Sequence, residues 1–227
     1  MIKKILLAFF ILCFAGAAVF LATQINQAPL TTPEGTAIRA RGDYIVLFTQ
    51  SILGIILVPL PILLERKSAI KIPAILTLSY AGFIYAAMFL GAICNFYYRF
   101  FHWDTMLHVV SGGGLVIVGY AIAELYTSGR KAPALSPVFL TLFAFSFAMM
   151  IGMFWEIFEF SLDTIIGTNT QRWADEFGLP FVGQDALFDT MKDIIANAAG
   201  GIVASIIGYI SLKHGKSWLD GFYIKRP

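Results

Sequence analysis

Residues 103–125 read WDTMLHVVSGGGLVIVGYAIAEL. A run this long and this apolar crosses a bilayer as a helix. Its first turns nevertheless carry Asp104 and His108, four residues apart and so on one helical face, which Ser111 continues. An ionised group at the bilayer centre costs about 2.5–3.5 kcal/mol on insertion scales. Such residues therefore turn toward protein, water or a cation, and by default mark a functional site. Two later stretches repeat the pattern. In Trp155-Glu-Ile-Phe-Glu-Phe160, Glu156 and Glu159 share a face with Asp163 further along and Gly152 one turn earlier. In Asp189-Thr-Met-Lys-Asp193, the two aspartates align with Asn197 and Gly200. Each set forms one stripe of its helix.

The rest of the chain is built the same way. Of its 227 residues, 58% are hydrophobic and 13% charged, where a soluble domain carries about 25% charged residues. Six apolar segments, 5–25, 44–64, 73–97, 104–126, 137–166 and 187–212, reach the roughly 20 residues that a transmembrane helix needs. The predicted fold is all-α, a polytopic membrane helix bundle of six transmembrane helices forming a single integral membrane domain over 1–227. The first span follows Lys3 and Lys4 like a signal peptide, but its apolar run is long and no A-x-A site is clear after it. It reads as a retained anchor. Cys13 and Cys94 lie in apolar runs and read as small core residues. With a net charge of +2, no basic tract and no glycine-rich phosphate loop, the sequence argues against a nucleic-acid partner.

Orientation follows from lysine and arginine, which concentrate on the cytoplasmic side. With a cytoplasmic N-terminus, that side holds Lys3, Lys4, Arg66, Lys67, Lys71, Arg130, Lys131, Lys213, Lys216, Lys225 and Arg226. The outer side holds only Arg39, Arg41, Arg99 and Arg172, and Lys192 falls inside the last span. Both termini are thus expected in the cytoplasm. Pro59 and Pro61 should kink or end the second span. The outer loop 167–186 offers residues 170–177 as a short surface helix with Trp173 and Phe177 on one face.

On this topology, at about 1.5 Å per residue, three antiparallel helices carry matched rungs. Asp104, Asp163 and Asp189 lie at the outer boundary. His108, Glu159 and Asp193 come one turn deeper, and Ser111, Glu156 and Asn197 a turn below that. Lys192 either neutralises a neighbouring acid or snorkels outward. Gly112-Gly113-Gly114 and Gly200-Gly201 permit close helix approach. Six carboxyl groups cannot all stay ionised in a low-dielectric pocket, so protons or a cation must share it. Carboxylate oxygens with one imidazole suit Mg²⁺, Mn²⁺, Ca²⁺ or Zn²⁺. With His102, His108 and His214 the only histidines, and His214 cytoplasmic, a three-histidine zinc site is excluded. Glu156-x-x-Glu159 is not the Glu-x-x-His of a helical di-iron site. Ser111 has no convincing base for an intramembrane nucleophile. The expected ligands are Asp104, Glu159, Asp163, Asp189, Asp193 and Asn197, with His108 and Glu156 as general acid or base.

Trp103-Asp-Thr-Met-Leu-His108-x-x-Ser-Gly112, the Glu156 motif with Asp163, and Asp189-x-x-x-Asp193-x-x-x-Asn197-x-x-Gly200 resemble the YjdF-like family of bacterial inner-membrane proteins. The resemblance runs over roughly residues 40–212. It implies a multi-pass protein of the bacterial cytoplasmic membrane, and no reaction. A fainter likeness to VanZ-like proteins rests on Asp104 with His108, on Glu156, and on Asp193, Asn197 and Gly200; Glu159 stands where that family often has Gln. Three functions fit the residues. The first is a cation-dependent enzyme acting on a membrane lipid, a lipid-linked or an envelope intermediate, with loop 167–186 as a lid. The second is an ion- or proton-coupled transporter, against which stand the lack of an internal repeat and of a helix broken at the cluster. The third is a scaffold whose buried polar network locks the helices together.

Overall fold

The computed structural model describes residues 2–31, 39–127, 135–175, 178–215 and 218–225, and among them it is helical. Six helical segments are long and apolar enough to cross a membrane: Ile2–Ile25, Arg41–Lys67, Ala74–Ile93, Trp103–Thr127, Pro137–Ile166 and Gln184–Lys213. The protein is a multi-pass membrane protein. Its chain falls into two compact units that divide between Trp103 and Asp104.

In the first unit, α1 (Ile2–Ile25) packs on α2 (Arg41–Leu57). Pro59 separates α2 from α3 (Leu60–Lys67), as a ring without an N–H demands. Lys3 pairs with Glu65 at 3.6 Å. The third span begins as α4 (Ala74–Ile84) and continues as a π-helix, Tyr85–Ile93, which the sequence reading did not foresee. Its wider turn stacks Tyr85 between Phe10 and Phe89, with ring centroids at 4.6 and 4.8 Å. Asn95, at φ 64°, ends it before the short α5 (Phe96–Arg99).

The second unit holds α6 (Trp103–Thr127), α7 (Pro137–Ile166) and α8 (Gln184–Lys213). Ser136 caps α7 by accepting from Phe139 N at 3.2 Å, and Gly167, at φ 77°, ends it. Helices α6 and α8 cross backbone against backbone. A Cβ on Gly112 would meet the Asn197 carbonyl oxygen, and one on Gly200 would meet that of Val109. Glycine is the only residue that permits this approach. Gly114, by contrast, has open space beside it. Deeper in the unit, the Tyr120 hydroxyl donates to Thr141 Oγ1 at 2.8 Å and to Ser205 O at 3.4 Å, joining all three helices. Val116, Ala144, Ala148 and Leu219 of the 3₁₀ turn Trp218–Phe222 close this core. Against it packs Tyr223, whose phenol is pushed up to about 12 by burial and by the negative charges of Glu124 and Asp220.

Residues 170–175 are not helical. Thr170 N donates to Asp163 Oδ1 and Gln171 N to Asp163 Oδ2, at 2.7 and 2.9 Å, and Ala174 bridges to Pro180. The expected surface helix is replaced because Asp163 takes the amides that a helix would leave to its first turn. Phe177 lies outside the described residues.

Candidate functional site

The acids gather at the end of the second unit where α6 and α8 begin and α7 ends. His108 Nε2 stands 3.7 Å from Asp104 Oδ1 and 3.8 Å from Asp193 Oδ2. Both distances are too long for hydrogen bonds. The ligand atoms of Asp104, His108 and Asp193 all lie within 4.8 Å of one another. Donors bound at about 2.0–2.6 Å from one ion lie about 3–5 Å apart, so this trio could hold a metal.

Below the trio lies a cavity of about 20 Å³, lined by His108, Met149, Gly152, Met153, Glu156, Asp193, Ile194 and Asn197. That volume takes one water-sized guest. Asp193 is 2% exposed and Glu156 5%. Asp193 Oδ1 and Glu156 Oε2 each lack a hydrogen-bond partner among the described residues. Buried carboxylate oxygens left unmatched are costly. A proton, a water or a cation would match them, and the Lys192 ammonium 3.7 Å from Asp193 Oδ1 already does so in part, so the residues could hold an ion.

Each remaining candidate has its own surroundings. Asn197 is fully enclosed: Ser111 Oγ donates to its Oδ1 at 3.4 Å, and its Nδ2 reaches Ala148 O at 3.5 Å. Its position is fixed by Gly112 on one side and Gly152 on the other. Asp189 accepts from Lys192 Nζ at 2.7 Å. Glu159 lies within electrostatic reach of Glu156, Asp104 and Asp193, and its carbonyl accepts from Thr170 Oγ1 at 3.2 Å. Asp163 is drawn away from the cluster. Its Oδ1 accepts from Thr168 Oγ1 at 2.6 Å and from Thr170 N and Oγ1, both at 2.7 Å. With Gln171 N on Oδ2 as well, its oxygens are taken up in shaping the loop.

That loop supplies what sequence reasoning missed. Arg172, at φ 49°, sits in the left-handed region, which costs a non-glycine residue about 1–2 kcal/mol. The strain sends its guanidinium back over the acids, with Nη2 3.4 Å from Asp104 Oδ2 and Nη1 3.8 Å from Asp189 Oδ1. Lys192 Nζ stands 3.7 Å from Asp193 Oδ1 and so bridges the two aspartates of α8. Gln171 Nε2 donates to Thr190 Oγ1 at 2.9 Å and ties the loop to α8. The one sequence signal for Arg172 was an arginine on the side expected to be poor in positive charge. Three carboxylates, of Asp104, Asp189 and Asp193, thus pair with two cations, Arg172 and Lys192, with Glu156 and Glu159 close by.

A family model described as "Predicted membrane protein (DUF2238)" matches residues 11–214. An uncharacterised protein of Thermotoga maritima is 27% identical over 150 residues, covering 66% of this chain and 69% of that one. No solved structure matches. The chain belongs to the DUF2238 family, which is that of the YjdF-like proteins; the likeness to VanZ-like proteins finds no support in these matches.

Proposed function

We propose that this member of the DUF2238 family of predicted membrane proteins is a cation-dependent enzyme. It acts at the outer face of the bacterial cytoplasmic membrane on a lipid or a lipid-linked envelope intermediate. The observation that carries the reading is the trio of Asp104, His108 and Asp193 beside a water-sized cavity lined by Asp193 and Glu156, each of which has one buried oxygen without a hydrogen bond among the described residues. Asp104, His108 and Asp193 would hold a divalent ion, with Glu159 and Asp189 contributing charge nearby. Bound there, the ion supplies Lewis acidity to a phosphoryl or carbonyl oxygen. Glu156 borders both this cavity and an open groove beside it, which makes it the group to take a proton from an attacking water. With His108 engaged as a ligand, Glu156 would also return that proton to the leaving oxygen. The strong cytoplasmic bias of lysine and arginine supports an outward-facing site.

The test is Mn²⁺ binding to detergent-purified protein, followed by electron paramagnetic resonance. Wild type should bind one Mn²⁺ at the trio, and Asp193→Asn or His108→Gln should weaken binding at least tenfold. Mn²⁺ at 100 times its Kd should stabilise the wild type by about 2.7 kcal/mol. Absence of binding, or binding equal in all variants, would leave Arg172 and Lys192 as structural counter-ions and end the enzyme reading.

A further inference from the structure

Both carboxylates of the trio are shared with a cation. Asp104 turns Oδ1 toward His108 Nε2 at 3.7 Å and Oδ2 toward Arg172 Nη2 at 3.4 Å. Asp193 turns Oδ2 toward His108 Nε2 at 3.8 Å and Oδ1 toward Lys192 Nζ at 3.7 Å. Each carboxylate thus gives one oxygen to the trio and the other to a cation. Asp189 is not one of the trio and has a different part. Its Oδ1 accepts from Lys192 Nζ at 2.7 Å and lies 3.8 Å from Arg172 Nη1. It anchors both cations beside the two carboxylates.

That placement has an electrostatic consequence. The contacts of Arg172 with Asp104 and of Lys192 with Asp193 are longer than hydrogen bonds, so they act through charge. They compensate two carboxylates whose side chains are only 14% and 3% exposed. A metal ion in the trio would compensate the same two groups from their other oxygens. It would then stand one carboxylate group away from each cation, within a Debye length of about 8–10 Å. Like charges repel at that range, and salt screens partly buried charges less than exposed ones. The cation side chains, 32% and 28% exposed, are partly buried.

We infer that Arg172 and Lys192 set the ion affinity of this site: anchored on Asp189, they compete by charge with a divalent ion for Asp104 and Asp193. The inference rests on the reading of the trio as an ion site. Its consequence is an exchangeable ion, held more weakly than two carboxylates and an imidazole would hold it without the cations. A purely structural role for the two cations makes the opposite prediction. If they served only to keep Asp104 and Asp193 in position, neutralising them would weaken ion binding. The sign of the change therefore decides between the two roles.

The experiment titrates full-length protein in detergent with Mn²⁺ and reads bound ion by electron paramagnetic resonance. Lys192→Gln and Arg172→Gln remove the charges and keep hydrogen-bond donors of similar reach. Each should lower the Mn²⁺ Kd about threefold, and the two together at least tenfold. Lys192→Arg and Arg172→Lys keep the charges and should bind as wild type does. The gain of the double variant should shrink between 50 and 500 mM NaCl, because salt screens the repulsion that the substitutions remove. Mn²⁺ binding that is unchanged or weaker in the double variant overturns the inference and leaves the ion site standing. Equal tightening by the charge-keeping variants overturns it too, since charge would not be the cause. Mn²⁺ bound by the double variant but not by wild type supports the competition while ending the enzyme reading. No Mn²⁺ bound by any variant overturns both.

Discussion

Substituting Gly112 by alanine puts one methyl group at one of the two points where α6 and α8 cross backbone against backbone. Its Cβ would meet the carbonyl oxygen of Asn197, a backbone atom that no rotamer change can move. Overpacking of this kind costs about 1–3 kcal/mol, and a backbone clash belongs at the upper end. Alanine's helix propensity returns about 0.8–1.0 kcal/mol. The net loss is about 2 kcal/mol, which for a chain of this size lowers Tm by roughly 4–8 °C. Gly114→Ala is the internal control. Nothing lies within 4 Å of its added Cβ, so only the propensity gain remains and Tm should hold or rise by a few degrees. The assay is thermal unfolding of both variants in one detergent, with Mn²⁺ affinity measured alongside. Gly112→Ala should weaken Mn²⁺ as well, because prising α8 from α6 separates Asp193 from His108. If Gly112→Ala proves as stable as Gly114→Ala, the close crossing does not exist and the trio of Asp104, His108 and Asp193 is not assembled by it.

Metal ligands must be deprotonated to bind, so Mn²⁺ affinity should fall as pH is lowered; calorimetric affinity that is flat between pH 8 and 5 would contradict a carboxylate–imidazole site. Asp163→Ala removes the acceptor of Thr168, Thr170 and Gln171, and trypsin should then cleave after Arg172 at least tenfold faster than in wild type, while cleavage at an unchanged rate would show that Asp163 does not hold the loop. Tyr223 has a folded-state value of about 12 against an ordinary 10.0, so its contribution to stability is intact below pH 10 and is lost as pH rises through about 12; alkaline difference spectra of wild type against Tyr223→Phe should lack a phenol ionising near pH 10. A reporter fused after Arg226 should behave as cytoplasmic and one inserted near Glu34 as external, and the reverse result would turn the site toward the cytoplasm.

Composition and spacing alone sufficed for the membrane class, the six spans and the stripes of polar residues that gather at one end of the second unit. Apolar length is a local property, and one charged side chain in such a run is expensive wherever the chain goes next. Helical periodicity is equally local, so the stripes of Asp104 with His108, Glu156 with Glu159, and Asp193 with Asn197 were legible from spacing alone. The break at Pro59 was legible too, because a missing N–H needs no partner to have its effect. Tertiary structure decided how those residues divide their work. Asp163 continues the stripe of Glu156 and Glu159, yet its oxygens serve the loop, since Thr168, Thr170 and Gln171 fold back onto them. Arg172 looked like one more outer-loop charge and instead lies over Asp104 and Asp189, held by a backbone conformation that no residue-type rule assigns to arginine. The π-helical turn of Tyr85–Ile93 likewise answers to the aromatic stack around Tyr85 and not to any composition signal. Spacing along a helix says which face a side chain is on. Only the neighbouring helices and loops say what that face meets, and the charge balance that makes a site depends on every group brought there.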